Sequence, residues 1–216
     1  MDGRVVIKFG GSVLSNGKTI RKAAETLQKL PYKEIVVVVS AMKGVTDSLI
    51  KIISEIGDVD DRDYAEILSM GERTSVRIFC SALKSLGIKA IYMDPSQENW
   101  PIITDSNFRN AEVNLEKTRM LVRRYLKPLL GETVPVLCGF LGKDCHGNLT
   151  ILGRGGSDIT ATLLANCLEA DEVILVKDTE GVFSADPKIL PEARFIKKLD
   201  IYEMFSMALG LSLIHI

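Results

Sequence analysis

The chain predicts an α/β fold built on a mostly parallel sheet with helices on both faces. Short apolar runs alternate with longer amphipathic stretches almost from end to end, the order that generates βαβ units. One run, 34–40, carries four consecutive valines, a pattern suited to a strand buried on both faces. In such sheets ligand residues collect beyond the carboxyl ends of the strands, and Gly10, Ser40, Gly139 and Asp178 all fall there.

The elements follow in order. Arg4–Phe9 reads as the first strand and 17–30 as a helix. After the valine strand, Val45, Leu49, Ile52, Ile53 and Ile56 recur at helical spacing and predict a helix over 44–56. A further helix is expected from near Gly71 to Leu86, then a strand over 89–93. Residues 95–109 are irregular and polar and read as a flap or hairpin outside the main sheet. Residues 114–130 predict a helix, Val134–Cys138 a short buried strand, and 139–150 a strand, turn and strand. The next helix is expected from about Ile159 to Leu168, with Ser157 and Asp158 as N-cap candidates, and Glu172–Val176 as another strand. Residues 201–209 read as a helix stopped by Gly210, and 211–216 begin a strand with no partner, so a C-terminally truncated chain is expected.

Bulk properties exclude several classes. The 216 residues are 46% hydrophobic and 25% charged, with a formal net charge of −1, an ordinary globular balance that favours neither nucleic acid nor a membrane surface as partner. No apolar run approaches the roughly 20 residues needed to span a bilayer. The N-terminus enters a strand at once, without an export signal, so a cytoplasmic location is expected. Cys80, Cys138, Cys145 and Cys167 are widely spaced and read as buried free thiols, and no paired metal pattern is present. His146 and His215 adjoin no plausible nucleophile, and His146 reads as a solvated turn residue.

The candidate chemistry sits in glycine-rich turns. In Gly153-Arg154-Gly155-Gly156-Ser157-Asp158 the glycines allow backbone N–H groups to approach an anion. The following helix points its positive end there, and Arg154 offers a planar fork for carboxylate or phosphate. Lys8-Phe9-Gly10-Gly11-Ser12 sets a lysine and a second glycine pair at the end of the first strand, able to steady a phosphoryl group in transfer or simply to make a turn. It is not a Walker A loop. Ser40 and Thr46 offer hydroxyls at a strand-to-helix junction, Thr46 alternatively as a cap. Glu72 is either a first-turn residue answering a helix dipole or a carboxylate for a substrate ammonium group. Lys177-Asp178-Thr179-Glu180-Gly181-Val182-Phe183-Ser184-Ala185-Asp186-Pro187-Lys188 mixes acids, lysines and one aromatic face, a mixture suited to an adenosine moiety or to an ordinary polar turn.

Taken in order, Lys-Phe-Gly-Gly-Ser, Val-Ser-Ala-Met-Lys-Gly-Val-Thr-Asp, Gly-Glu-Arg-Thr-Ser, Gly-Phe-Leu-Gly, Leu-Gly-Arg-Gly-Gly-Ser-Asp-Ile-Thr-Ala and Lys-Asp-Thr-Glu-Gly-Val-Phe-Ser-Ala-Asp-Pro resemble the catalytic domain of the aspartokinases, within the amino acid kinase family. The resemblance covers residues 4–210 and implies a three-layer αβα sandwich around a mainly parallel sheet. It implies a single domain over 1–216, incomplete at its C-terminus, with the substrate side over about 1–150 and the nucleotide side over about 151–216. The implied reaction is transfer of the ATP γ-phosphoryl group to the β-carboxylate of L-aspartate, with Mg2+ carried as MgATP and no protein metal ligand.

In that scheme Lys8 steadies the transferring group, Asp158 orients Lys8, and Gly10, Gly11 and Ser12 cradle phosphate oxygens. Arg154 clasps the α-carboxylate, Glu72 meets the ammonium, and Ser40, Thr46, Phe140 and Ser157 line the substrate pocket. Lys177, Asp178, Phe183, Asp186 and Lys188 hold the nucleotide. The resemblance leaves a homodimer open. Lys177 departs from the usual threonine, and 210–216 lack the lysine of the family's Gly-Ala-Lys-Val-Leu-His-Pro stretch. Complete aspartokinases usually carry C-terminal ACT domains, and the resemblance leads to the expectation that this truncated chain lacks them. Competing readings are another kinase of this fold, acting on glutamate, acetylglutamate, carbamate, UMP or a small phosphate acceptor, or a non-catalytic ligand-binding fragment.

Overall fold

A computed structural model describes residues 3–177, 181–184 and 189–197. The chain divides into two compact units, Met1–Val176 and Lys177–Ile216. In chain order the first unit runs β1 (Arg4–Phe9), α1 (Gly17–Leu27), β2 (Glu34–Val39), α2 (Val45–Ile56), α3 (Asp61–Ser85), β3 (Ala90–Met93), α4 (Leu115–Leu121), β4 (Val134–Cys138), β5 (Leu141–Lys143), β6 (Leu149–Ile151), α5 (Gly156–Leu168) and β7 (Glu172–Val176).

Five strands form one parallel sheet in the order β3-β4-β2-β1-β7. β1 and β2 pair from Arg4 opposite Glu34 to Phe9 opposite Val39, so the valine run lies at the centre, and Val36, Val37, Val38 and Val39 are fully buried. The continuous apolar pattern has this cause: helices cover both faces, and none of the four valines meets water. The connections from β1 to β2 and from β2 to β3 step one way across the sheet, and those from β3 to β4 and from β4 to β7 step back. Right-handed crossovers therefore place α1, α2 and α3 on one face and α4 and α5 on the other. The unit is a three-layer αβα sandwich.

Several elements differ from expectation. The helix expected from Gly71 begins ten residues earlier, at Asp61, capped by the Asp60 side chain on the Arg62 N–H. Its early part is polar because it faces solvent, and Gly71 interrupts nothing. Residues 114–130 are not one helix. α4 gives way to a π-helical turn (Val122–Leu126) and a 3-10 turn (Lys127–Leu129), where Pro128 has no N–H to continue the ladder. The segment 95–109 lies outside the five-stranded sheet but is no loose flap. Trp100 and Ile102 are buried in the core, and backbone bridges tie Ile103 to Lys143 and Thr104 to Val113. Two apolar anchors hold a stretch whose composition reads as polar.

β5 and β6 pair antiparallel, as the strand-turn-strand reading expects. In the second unit β8 (Val182–Phe183) pairs antiparallel with β9 (Phe195–Ile196), and the Ser184 N–H donates to the Arg194 carbonyl. The helix and strand expected over 201–216 lie outside the described residues.

Candidate active site

β2 sends its connection to one face of the sheet and β4 sends its own to the other. A crevice opens at the carboxyl ends of such a strand pair, where ligands bind in open α/β sheets. Here it is a cavity of about 460 Å³. Lys8, Gly11, Ser12, Ser40, Thr46, Glu72, Phe140, Arg154, Ser157 and Asp158 all line it. The backbone hydrogen bonds Ser40 N–H to Phe9 carbonyl and Gly139 N–H to Val39 carbonyl align the strand ends beneath it.

Lys8 sits inside β1, nearly buried, and its Nζ lies 2.7 Å from Asp158 Oδ1. Gly10 is buried beneath that ammonium and donates its N–H to the Val176 carbonyl at 3.1 Å. A partly buried ion pair is worth keeping only with good geometry, and this one fixes a long side chain where it would otherwise roam.

Glu72 is mid-helix in α3 and only 4% exposed, which removes the first-turn reading. Its Oε1 accepts the Ala41 N–H at 3.1 Å, while its Oε2 is buried without a hydrogen-bond partner. Burial pushes its pKa up to about 7, against the opposing pull of the Ala41 N–H. Gly71 makes this approach possible. A Cβ there would stand 2.8 Å from the Ala41 Cβ, closer than two carbons can pack.

Two helices begin at the cavity, and neither has a side-chain cap. Gly44 caps α2 at φ 77° and Gly155 caps α5 at φ 72°, a conformation glycine adopts without steric cost. Ser157 and Asp158 therefore belong to the first turn of α5, not to its cap, and Thr46 does not cap α2. A side-chain cap would consume the first N–H groups. Without one, two positive helix ends face the same space.

Phe140 holds an unusual backbone conformation, φ 69°, with its N–H donated to Thr160 Oγ1 at 3.1 Å and its carbonyl accepting the Leu152 N–H at 2.8 Å. Its ring lies against Gly156, where a Cβ would meet Cδ2 at 2.7 Å. The surroundings over-determine a strained residue at the cavity wall.

Met42, Lys43 and Asp47, which are not among the candidates expected from the sequence, also line the cavity. Their signal was present, since they share the strand-end stretch with Ser40 and Thr46. Five further candidates fall in the second unit. Lys177 is exposed in the second unit, Phe183 belongs to β8, and Asp178, Asp186 and Lys188 lie outside the described residues. Cys80, Cys138 and Cys167 are buried free thiols with pKa values raised by burial, but Cys145 is exposed in the β5–β6 turn, correcting the expectation for that thiol. His146 is exposed in the same turn. Among the described residues no group of three or more acidic, cysteine or histidine side chains is placed to hold a metal, and no helix is long and apolar enough to cross a membrane.

The amino acid kinase family model matches residues 3–214. The chain is 37% identical over 212 residues to an aspartokinase of Rickettsia felis, covering 94% of this chain and 51% of that protein. It is 37% identical over 209 residues to an aspartate kinase of Pseudomonas putida, covering 94% and 49%. The chain thus spans about half the length of the curated relatives it matches. Its structure is similar to E. coli aspartokinase III in complex with aspartate and ADP, with a TM-score of 0.81 at 25% identity, over 89% of this chain and 53% of that one.

Proposed function

Because the chain belongs to the amino acid kinase family, we propose that it transfers the γ-phosphoryl group of MgATP to the β-carboxylate of L-aspartate, forming 4-phospho-L-aspartate. The observation that carries this reading is Glu72. A nearly buried carboxylate with one open oxygen, sharing a cavity with the Arg154 guanidinium, matches an ammonium and a carboxylate on one small molecule. A nucleotide monophosphate as acceptor gives Glu72 no partner.

The residues then take roles. Arg154 clasps the α-carboxylate and Glu72 receives the ammonium, while Ser40, Thr46, Phe140 and Ser157 complete the pocket. Lys8, held by Asp158, places fixed positive charge where it builds up on the equatorial phosphoryl oxygens, and Gly11 and Ser12 offer N–H groups beside it, whereas the Gly10 N–H is already taken by the Val176 carbonyl. Two anions must meet against their repulsion, and the uncapped starts of α2 and α5 add to the field that offsets it. Lys177, Asp178, Phe183, Asp186 and Lys188 are assigned to the nucleotide on resemblance. Asp158 is engaged by Lys8 and Glu72 by Ala41, so Mg2+ is assigned to the phosphates and water, where it would neutralise charge on the nucleotide. The product would feed aspartate-derived amino acid biosynthesis, toward lysine, threonine and methionine, in the cytoplasm.

The test is ATP turnover with hydroxylamine present to trap the acyl phosphate as its hydroxamate. Aspartate should give hydroxamate, glutamate and UMP should not, and Lys8→Ala and Arg154→Ala should abolish it. Hydroxamate formed equally from glutamate, or phosphorylation of UMP alone, would defeat the aspartate assignment. Binding of MgATP and aspartate without turnover would make the chain a ligand-binding module.

A further inference from the structure

Outside the cavity, one ionic cluster is too costly to be incidental. Asp94, directly after β3, is fully buried, and a lone carboxylate there would be strongly disfavoured. Its Oδ2 accepts from Arg77 of α3, and its Oδ1 accepts from the Ser96 N–H at 2.8 Å and the Ser96 hydroxyl at 2.5 Å. Arg73 Nε stands 3.9 Å from the same Oδ1. Arg77 also lies over the Tyr92 ring of β3, 4.6 Å from its centroid, and donates to the Arg73 carbonyl at 2.6 Å. Burial alone would raise the Asp94 pKa, but the Ser96 hydrogen bonds and the Arg77 charge hold it below the usual carboxylate range.

Arg73 and Arg77 are one helical turn apart and so share a face of α3. Arg73 directly follows Glu72. Successive residues are about 100° apart around a helix axis, so fixing Arg73 and Arg77 against the end of β3 fixes the direction of Glu72. The second point of restraint is Ala41, against Gly71 and Glu72 Oε1. Cys138, closing β4, feels the charges of both Asp94 and Glu72, so the clamp and the open carboxylate flank one strand end.

We infer that Asp94 is a positioning residue: through Arg77 and Arg73 it sets the rotation of α3 that presents Glu72 to the cavity, and thereby the affinity for a ligand's ammonium group. The consequence for affinity rests on the reading of Glu72 as the ammonium acceptor.

The test compares the full chain with Asp94→Asn and Arg77→Gln. The readouts are carbon-detected NMR titration of the Glu72 carboxyl, calorimetric binding of L-aspartate, and separate KM and kcat values. Charge alone predicts opposite effects, since removing an anion lowers a neighbouring carboxyl pKa and removing a cation raises it. Loss of positioning predicts the same effect from both: Glu72 reaches water, and its titration falls by about one pH unit or more toward the ordinary range. Aspartate binding should weaken about tenfold in both, a change of 1.4 kcal/mol, with kcat at saturation within about twofold.

Asp144 supplies the control. It is also buried and accepts from Ser106 and from His146 and Asn148 of the β5–β6 turn, so Asp144→Asn should lower the melting temperature without moving Glu72 or aspartate binding. Opposite or absent Glu72 shifts in the two clamp variants overturn the inference, as does an equal shift in Asp144→Asn. If the parent chain binds no aspartate but both clamp variants lower the Glu72 titration, the proposed substrate falls and the positioning role stands.

Discussion

A carboxyl group near neutrality in pKa makes Glu72 sensitive to pH in two directions. Its folded value of about 7 exceeds the ordinary 4.5, so the folded state holds this proton more tightly than the unfolded chain. Stability from this group is therefore greatest below pH 4.5 and is lost as pH rises through about 7. The whole effect is on the order of 3 kcal/mol. Urea unfolding of the parent and Glu72→Gln across pH 5 to 8 should show this slope only in the parent. Binding runs the other way, because only the ionised carboxylate attracts an ammonium. In the proposed reaction kcat/KM for aspartate rises through pH 7, and Glu72→Gln is both slow and flat. At Arg154 the planar fork matters more than the charge, so Arg154→Lys should raise the aspartate KM about tenfold or more with a smaller change in kcat.

At the scale of elements, the approach of α3 to the β2–α2 turn depends on the missing side chain of Gly71. Gly71→Ala would gain up to about 1 kcal/mol in helix propensity. The new methyl would meet Ala41 at 2.8 Å, and relieving that contact moves α3 off the Ala41 N–H that holds Glu72. The net expectation is a loss of about 1–3 kcal/mol in urea unfolding, together with a raised aspartate KM. A substitution that gained stability and left KM unchanged would show that the contact relaxes without cost. Gly139 is a second such point, since its Cβ would fall 2.9 Å from the backbone Cα of Ser157 at the start of α5. The helix expected from near Gly71 in fact begins ten residues earlier, at Asp61. Local propensity reads a glycine as a break, whereas here tertiary contact supplies the reason for keeping one inside a helix.

At the scale of the first unit, stability resides in the core shared by the sheet and the inner faces of the helices, not on the helices' outer faces. Leu137 of β4 is fully buried, and Leu137→Ala should cost about 2–5 kcal/mol. Ile52 of α2 is 52% exposed, and Ile52→Ala should stay within about 0.5 kcal/mol. Chemical denaturation of the two variants checks the contrast; comparable losses would mean that Ile52, like its buried neighbour Ile53, packs into the core.

The layered sheet, its parallel strands and most of the cavity lining were legible in the chain itself. Long apolar runs declare strands covered on both faces, glycine pairs at strand ends declare tight turns near anions, and both signals are local. What was not legible depends on distant partners. Nothing near Glu72 in sequence says that it is buried against Ala41, and nothing around residues 95–109 says that Trp100 and Ile102 are core. Composition distinguishes a cap candidate from an apolar residue, yet Gly155 and not Ser157 caps α5, because Ser157 packs against Gly139 and Asp158 is held by Lys8. Burial, charge pairing and the rotation of a helix are set by what lies across the fold, so only the assembled structure could decide them.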